Sequence, residues 1–320
     1  MGISVVVCKK SSRPKKPNAT RRWRRLCAHG AFITRGESGC STDFIERLTQ
    51  PAMLDTSNHH LTHFLAPARI ARYKSFLNLK TDAQVYRAYA WNYALAAMVF
   101  PLLGCIEMHL RDAIHQVMSQ RYAPIGTKHH DYPWYDDSQP QHYPFSKQAK
   151  MSIDGILLNK KTLARKRPAP TTDDVIAALT FGFWTNFFRT LSPIDAPNVV
   201  PRILPFHPIQ NPKKWGSPVN RHELGSHLQI ANMFRNRVAH HEPLFKFRYR
   251  AAYPRKVSDG LSNLRNCMDY CLSISDWINE RAGHALRQSD WFKHFKVLST
   301  VDCFDQWIRC GQPPAYRYFV

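Results

Sequence analysis

Residues 235 to 245 read Arg235-Asn236-Arg237-Val238-Ala239-His240-His241-Glu242-Pro243-Leu244-Phe245, the densest group of chemically useful side chains in the chain. A guanidinium offers a rigid fork of donors matched to phosphate oxygens. An imidazole, with an ordinary pKa of about 6.5, gives and takes protons near neutrality. A phosphate-binding cation beside a proton-transfer group suits phosphodiester cleavage without a metal, with Arg235 and His240 as the principal parts.

Spacing alone does not single this pair out. With 27 Arg and 16 His in 320 residues, an arginine followed by a histidine after four to six intervening residues arises about four times by chance. Six arginines satisfy the pattern: Arg22, Arg24, Arg202, Arg221, Arg287 and Arg235. Arg22 and Arg24 lie in a basic tail, and Arg202 lies among Pro201, Pro205 and Pro208, which argue against a regular helix. Arg235 instead ends a run in which Leu224, Leu228, Ala231, Phe234 and Val238 recur at the intervals of an amphipathic helix. Pro243 is expected to stop that helix, because the residue before a proline resists helical geometry.

A regular helix separates Arg235 from His240 by about 140° around the axis and roughly 7.5 Å along it, so they do not share a face. Asn236 and His240 do, as do Arg237 and His241. A pocket that uses Arg235 and His240 together needs either a distorted helix end or a second copy of the helix across a two-fold seam.

The phrase from Arg235 to Phe245 resembles the signature of the Abi-like (abortive infection) proteins of the HEPN superfamily. Three further blocks resemble that family in its order: Leu65-Ala66-Pro67-Ala68-Arg69-Ile70-Ala71-Arg72-Tyr73; Trp91-Asn92 through Pro101-Leu102-Leu103 to Glu107-Met108-His109-Leu110-Arg111-Asp112-Ala113-Ile114; and Leu179-Thr180-Phe181-Gly182-Phe183-Trp184. The third-block arginine is often followed by Asn in the family, where this chain has Asp112. The resemblance implies an all-α HEPN-like helical bundle and a homodimer whose paired motifs line one basic cleft. It also implies metal-independent RNA cleavage by Arg235, Asn236 and His240, without a cofactor. Arg237, His241, Glu242, Glu107 and Arg111 are supporting candidates. For Glu107 and Arg111 the plain reading is an ordinary i, i+4 ion pair, and for Arg235 and His240 it is a polar network joining helices. The class alternative to a nuclease is a non-catalytic module that binds RNA or protein, and an inhibitory or activating partner, RNA or protein, is expected to govern a toxic activity.

The net charge of +22 and the pI near 9.9 make polyanions the expected partners, without choosing RNA over DNA. Nine cations fall in the first 25 positions and no acid precedes Glu37. Residues 1–48 therefore read as a basic extension, and residues 49–320 as a helical domain with a C-terminal extension. The tail admits three readings: a nucleic-acid arm, a transit peptide, or an extension without function. Cys8, Cys27, Cys40, Cys105, Cys267, Cys271, Cys303 and Cys310 contain no Cys-x-x-Cys pair, which suits reduced thiols in the cytoplasm and no structural metal. Cys303, Cys310 and His294 are the weakest of metal candidates.

Ala88 through Ile106 carries no charge and is long enough to span a bilayer. Asn92, Pro101, Gly104 and its many alanines point instead to a buried helix, kinked at Pro101, in a protein with no membrane partner. Thr171 to Asp174 opens a helix with Val175, Leu179, Phe183, Phe187 and Leu191 along one stripe, and another helix is expected over 256–281. Residues 123–144 and 193–220 are expected to be long loops.

Overall fold

The computed structural model describes residues 65–126, 131–249 and 253–311. The basic extension, its boundary near residue 48, and Cys8, Cys27 and Cys40 lie outside the described residues. Among the described residues there are eleven α-helices and no β-strand, as the all-α reading requires. They are α1 (Pro67–Leu77), α2 (Asp82–Tyr122), α3 (Lys147–Leu157), α4 (Thr172–Ala178), α5 (Phe181–Thr190), α6 (Ala196–Ile203), α7 (Pro218–Ala239), α8 (Val257–Ile278), α9 (Glu280–Gln288), α10 (Asp290–Leu298) and α11 (Val301–Cys310).

The axis is α2, 41 residues long. It opens on a capping box: the Thr81 hydroxyl accepts the Gln84 N–H at 3.2 Å, and the Gln84 carboxamide oxygen accepts the Thr81 N–H at 3.3 Å. Pro101 lies within one uninterrupted helix. Trp91, Leu95, Val99, Leu102, Ile106, Leu110 and Ile114 are fully buried along one face, against which α1, α5, α6, α7, α8, α10 and α11 pack. By length and composition α2 could cross a membrane, and only 33% of its most apolar window is buried within the fold. Its other face is open: Ala97, Phe100 and Met108 are exposed, and no atom lies within 4 Å of where a side chain on Gly104 would begin.

Trp91 ties this axis to the C-terminal helices. Its indole N–H donates to the Leu298 carbonyl at 2.9 Å, and its ring meets Phe304 edge-on at 4.8 Å. Phe245, fully buried, is stacked on Trp91 at 5.9 Å and on Phe76 at 5.5 Å, with Tyr73 edge-on at 5.2 Å. Aromatic pairs in these geometries add to the area term of burial, and they fix where the chain lands after α7.

Two expectations are corrected. The helix opening at Thr171, whose hydroxyl accepts the Asp174 N–H at 3.2 Å, breaks at Leu179-Thr180. Thr180 takes an extended conformation and caps α5 through the Phe183 N–H at 3.3 Å. One stripe therefore spans two helices. The loop expected over 193–220 contains α6, which carries Pro201 and Arg202; one missing N–H is tolerable in an eight-residue helix that buries Ala196, Val199, Val200 and Ile203. That same region includes a 3₁₀ turn (Pro212–Gly216) and the start of α7. The helices at Val257–Ile278 and Leu224–Val238 occur where the spacing puts them, and Cys267 and Cys271 share the buried face of α8.

His207 closes the gap between two of these segments. Its ring lies 4.9 Å from Trp215 and 4.5 Å from Trp277, and its Nδ1 accepts the Ile209 N–H at 3.0 Å. Burial pushes its pKa down to about 4. Because the folded pKa lies below the ordinary value, the native state stays neutral where the unfolded chain takes up a proton. Stability is full above about pH 6.5 and falls as pH drops toward 4. Lowering the pH from 7.5 to 5.5 is expected to cost roughly 1 kcal/mol through this group, seen as a fall in the thermal midpoint that is smaller in His207→Phe. Equal falls in the two proteins would show that His207 is not the group responsible.

Candidate active site

The motif occupies the last turn of α7 and the turn that follows. Leu224, Leu228, Ala231, Phe234 and Val238 are buried, so the registry of α7 is set by its apolar stripe and its polar side chains fall where that registry leaves them. Arg235 comes out toward α2, where its Nε lies 3.4 Å from a Glu107 carboxylate oxygen. Glu107 is the more enclosed partner, its side chain 16% exposed against 34% for Arg235. The ordinary Glu107–Arg111 helix pair is therefore corrected: Glu107 reaches across to α7, and Arg111 lies 3.6 Å from Asp112. Arg235 also donates to the Asn236 side-chain oxygen at 3.4 Å.

Pro243 does not terminate α7; the helix ends four residues earlier. The His240 N–H donates to the Asn236 carbonyl at 2.9 Å, the His241 N–H to Val238 at 3.1 Å and the Glu242 N–H to Arg237 at 3.0 Å. His241 takes a φ of 54°, the left-handed residue of a Schellman ending, a position that glycine usually fills. A histidine there costs on the order of 1 kcal/mol, which its surroundings must offset. The His241 ring stacks on Tyr93 at 5.3 Å and 16°. Beyond it, buried Asn92 (1% exposed) accepts the Leu244 N–H at 2.8 Å and donates to the Glu242 carbonyl at 3.4 Å. The backbone of α8 presses on the turn from the other side: a methyl on Gly260 would lie 2.1 Å from the Phe245 carbonyl oxygen, so only glycine fits there.

His240 is the outcome of this construction. As the C-cap residue of α7 it is exposed, and among the described residues its side chain makes no hydrogen bond or ion pair. No contact joins it to Arg235, consistent with their placement on different faces. Arg237 turns inward, with Nη1 donating to the Lys246 carbonyl at 3.2 Å, Nη2 3.2 Å from Glu242, and its guanidinium 5.8 Å above the Phe247 ring. Burial is the main cause that lowers its pKa, Glu242 opposes that and Arg72 adds to it. The sequence reading did not assign Asn92, Tyr93, Arg72 or Lys246 to the site. Their signal was membership of the 65–73 and 91–92 blocks and adjacency to the motif. The weak metal candidate is also corrected: among the described residues no three His, Cys, Asp or Glu side chains, His294, Cys303 and Cys310 included, come together as metal ligands.

A family model of Abi-like proteins matches residues 52–246, more than half of the chain. The chain belongs to the Abi-like family. No curated protein and no solved structure gives a match. The Abi-like match takes in α1 to α7 and the turn at Pro243–Lys246, and it ends just after Phe245 enters the core. Helices α8–α11 lie beyond the Abi-like segment, yet they cover Trp91 and the motif turn.

The Asn92 clamp is testable without an activity. Asn92→Leu keeps the volume and leaves the Leu244 N–H buried without an acceptor, and is expected to lower the unfolding free energy by about 1–3 kcal/mol in denaturant titrations. An unchanged midpoint would mean that the turn does not depend on the clamp.

Proposed function

We propose that this Abi-like protein is a metal-independent endoribonuclease of the HEPN type, acting as a phage-defence effector or toxin in abortive infection. In this reading His240 takes the proton of a ribose 2′-OH, or returns one to the leaving 5′-oxygen, a role worth about 10²- to 10⁴-fold in rate. Arg235 stabilises the charge that gathers on the phosphorane, Glu107 holds that guanidinium in place, and Asn236 orients the group beside it. The 2′-oxygen forms a bond to phosphorus as the bond to the 5′-oxygen breaks, leaving a 2′,3′-cyclic phosphate and a 5′-OH. DNA, which lacks the 2′-OH, is not cut by this route.

The observation that carries the reading is the contrast between the two principal side chains. Arg235 is oriented by a carboxylate and half enclosed, as a charge-stabilising group should be, while His240 stands in solvent at the helix end, uncommitted. Within one chain they diverge, so the reading requires two copies. The open face of α2 supplies a place for the second. Phe100 (54% exposed) and Met108 (38%) alternate with Ala97 and Gly104 at helical spacing, a stripe with small residues that allow close approach, and Glu107 borders it. A homodimer through this face places paired motifs along one basic cleft. The same divergence favours the second reading, a non-catalytic module that binds RNA or protein, for a chain that stays monomeric.

The test is incubation of the purified protein with total and structured RNA in EDTA, beside His240→Ala and Arg235→Ala. The expected result is fragments with cyclic-phosphate ends, reduced at least 100-fold in either variant. Equal cutting by all three proteins would place the chemistry elsewhere, and binding without cutting by all three would favour the module.

A further inference from the structure

Three cations from three elements face one another beside the motif: Arg72 of α1, Arg237 of α7 and Lys246 of the turn after it. Arg237 and Lys246 are propped by their neighbours, and Arg72 is exposed beside them. Arg237 is held by the Lys246 carbonyl and the Phe247 ring, and its Nε is buried without a hydrogen-bond partner. The Lys246 ammonium sits 4.9 Å above the Phe76 ring. Burial, Arg72 and Arg237 together lower the pKa of Lys246, so the cluster is one of mutual repulsion. Its acid is Glu242, on Arg237 at 3.2 Å and with a half-exposed side chain. Among the described residues three positive groups thus stand against one carboxylate, an arrangement that attracts an anion.

The cluster continues into an aromatic strip. One turn before Arg72, Arg69 donates to the Tyr89 hydroxyl at 3.1 Å, and that hydroxyl meets the Tyr93 hydroxyl at 3.3 Å. Tyr93 then stacks on His241, an exposed residue. Arg72, Arg69, Tyr89, Tyr93, His241 and Arg237 thus form a chain of neighbours around the end of α7. Cations spaced beside an open ring face are what a single strand needs, since phosphates take the charge and bases of any sequence stack. An acidic peptide would use the cations and leave the ring idle.

We propose that this surface binds single-stranded RNA, seating one backbone phosphate among Arg72, Arg237 and Lys246 and stacking a base on His241, so that the strand is presented to His240. The proposal rests on the nuclease reading for its direction, and its test does not depend on cleavage. The full chain carrying His240→Ala is titrated into a labelled twelve-nucleotide single-stranded RNA, and fluorescence anisotropy is followed over a range of salt concentrations. Adding Arg72→Gln and Lys246→Gln is expected to weaken binding about 10-fold near physiological salt and to reduce the salt slope by about 1 to 2. Adding His241→Ala is expected to weaken it roughly 5- to 10-fold with the slope unchanged. Lys213→Gln with Lys293→Gln, an equal change of charge elsewhere, serves as the control, and circular dichroism confirms that each variant is folded. Equal weakening by the control, no effect of the cluster variants, or equal affinity for an RNA duplex or an Asp-rich peptide would overturn the proposal. If the pattern holds while the unsubstituted chain never cuts RNA, the nuclease reading fails and this surface stands; if the chain cuts RNA and the cluster variants bind normally, only this proposal fails.

Discussion

The geometry of the motif depends on a carboxamide buried in the longest helix. Asn92 gives its oxygen to the Leu244 N–H and its N–H to the Glu242 carbonyl, which satisfies the backbone of a turn that leaves α7 and dives at once into the core. Backbone groups in such a turn have no ladder to join and no water to bind, so each needs a partner placed for it. With that clamp in place Phe245 can enter its aromatic socket, Gly260 can bring α8 against the turn, and His241 can be held at a positive φ by Tyr93. The exposed position of His240 follows from these constraints and not from any bond of its own.

Electrostatics then divides the site into halves. Arg235 is drawn to α2 by Glu107, and His240 is exposed at the helix end with no contact to it. Arg237, between them in sequence, belongs to a third direction, inward toward Lys246 and Phe247. A cation that must stabilise transient charge benefits from being fixed in advance, and a proton carrier benefits from being free to move. The molecule supplies each condition in a different place, so the chemistry proposed for the pair is a property of two chains.

The amphipathic stripe of α7, the capping box at Thr171 and the long apolar helix were legible because each is written in local periodicity or local hydrogen bonding. The end of α7 was misplaced because its stop is a left-handed His241 where a glycine would have announced it, and Pro243 drew attention further on. The break at Leu179-Thr180 was hidden by a stripe that carries on through it. The proline-rich stretch that holds α6 read as loop because burial of Val199, Val200 and Ile203 decides the matter there, and burial is not visible in spacing. Glu107 lay four residues from Arg111, and only the approach of α7 shows that its cation is Arg235. Arg235, Asn236 and His240, with the supporting candidates around them, could be named from the sequence, whereas Asn92 and Tyr93, which pack against the motif turn, could not be distinguished from core.

The central claim, that Arg235 and His240 act together from different chains, is tested most directly by complementation. Arg235→Ala and His240→Ala chains are co-expressed with different tags, the mixed species is isolated by tandem affinity, and RNA cleavage is measured beside each variant alone. The account predicts that both variants are inactive alone. The isolated mixed species should recover about one half of the wild-type rate, because each mixed dimer restores one of two sites. A mixed species that forms and remains as inactive as its parents would contradict it.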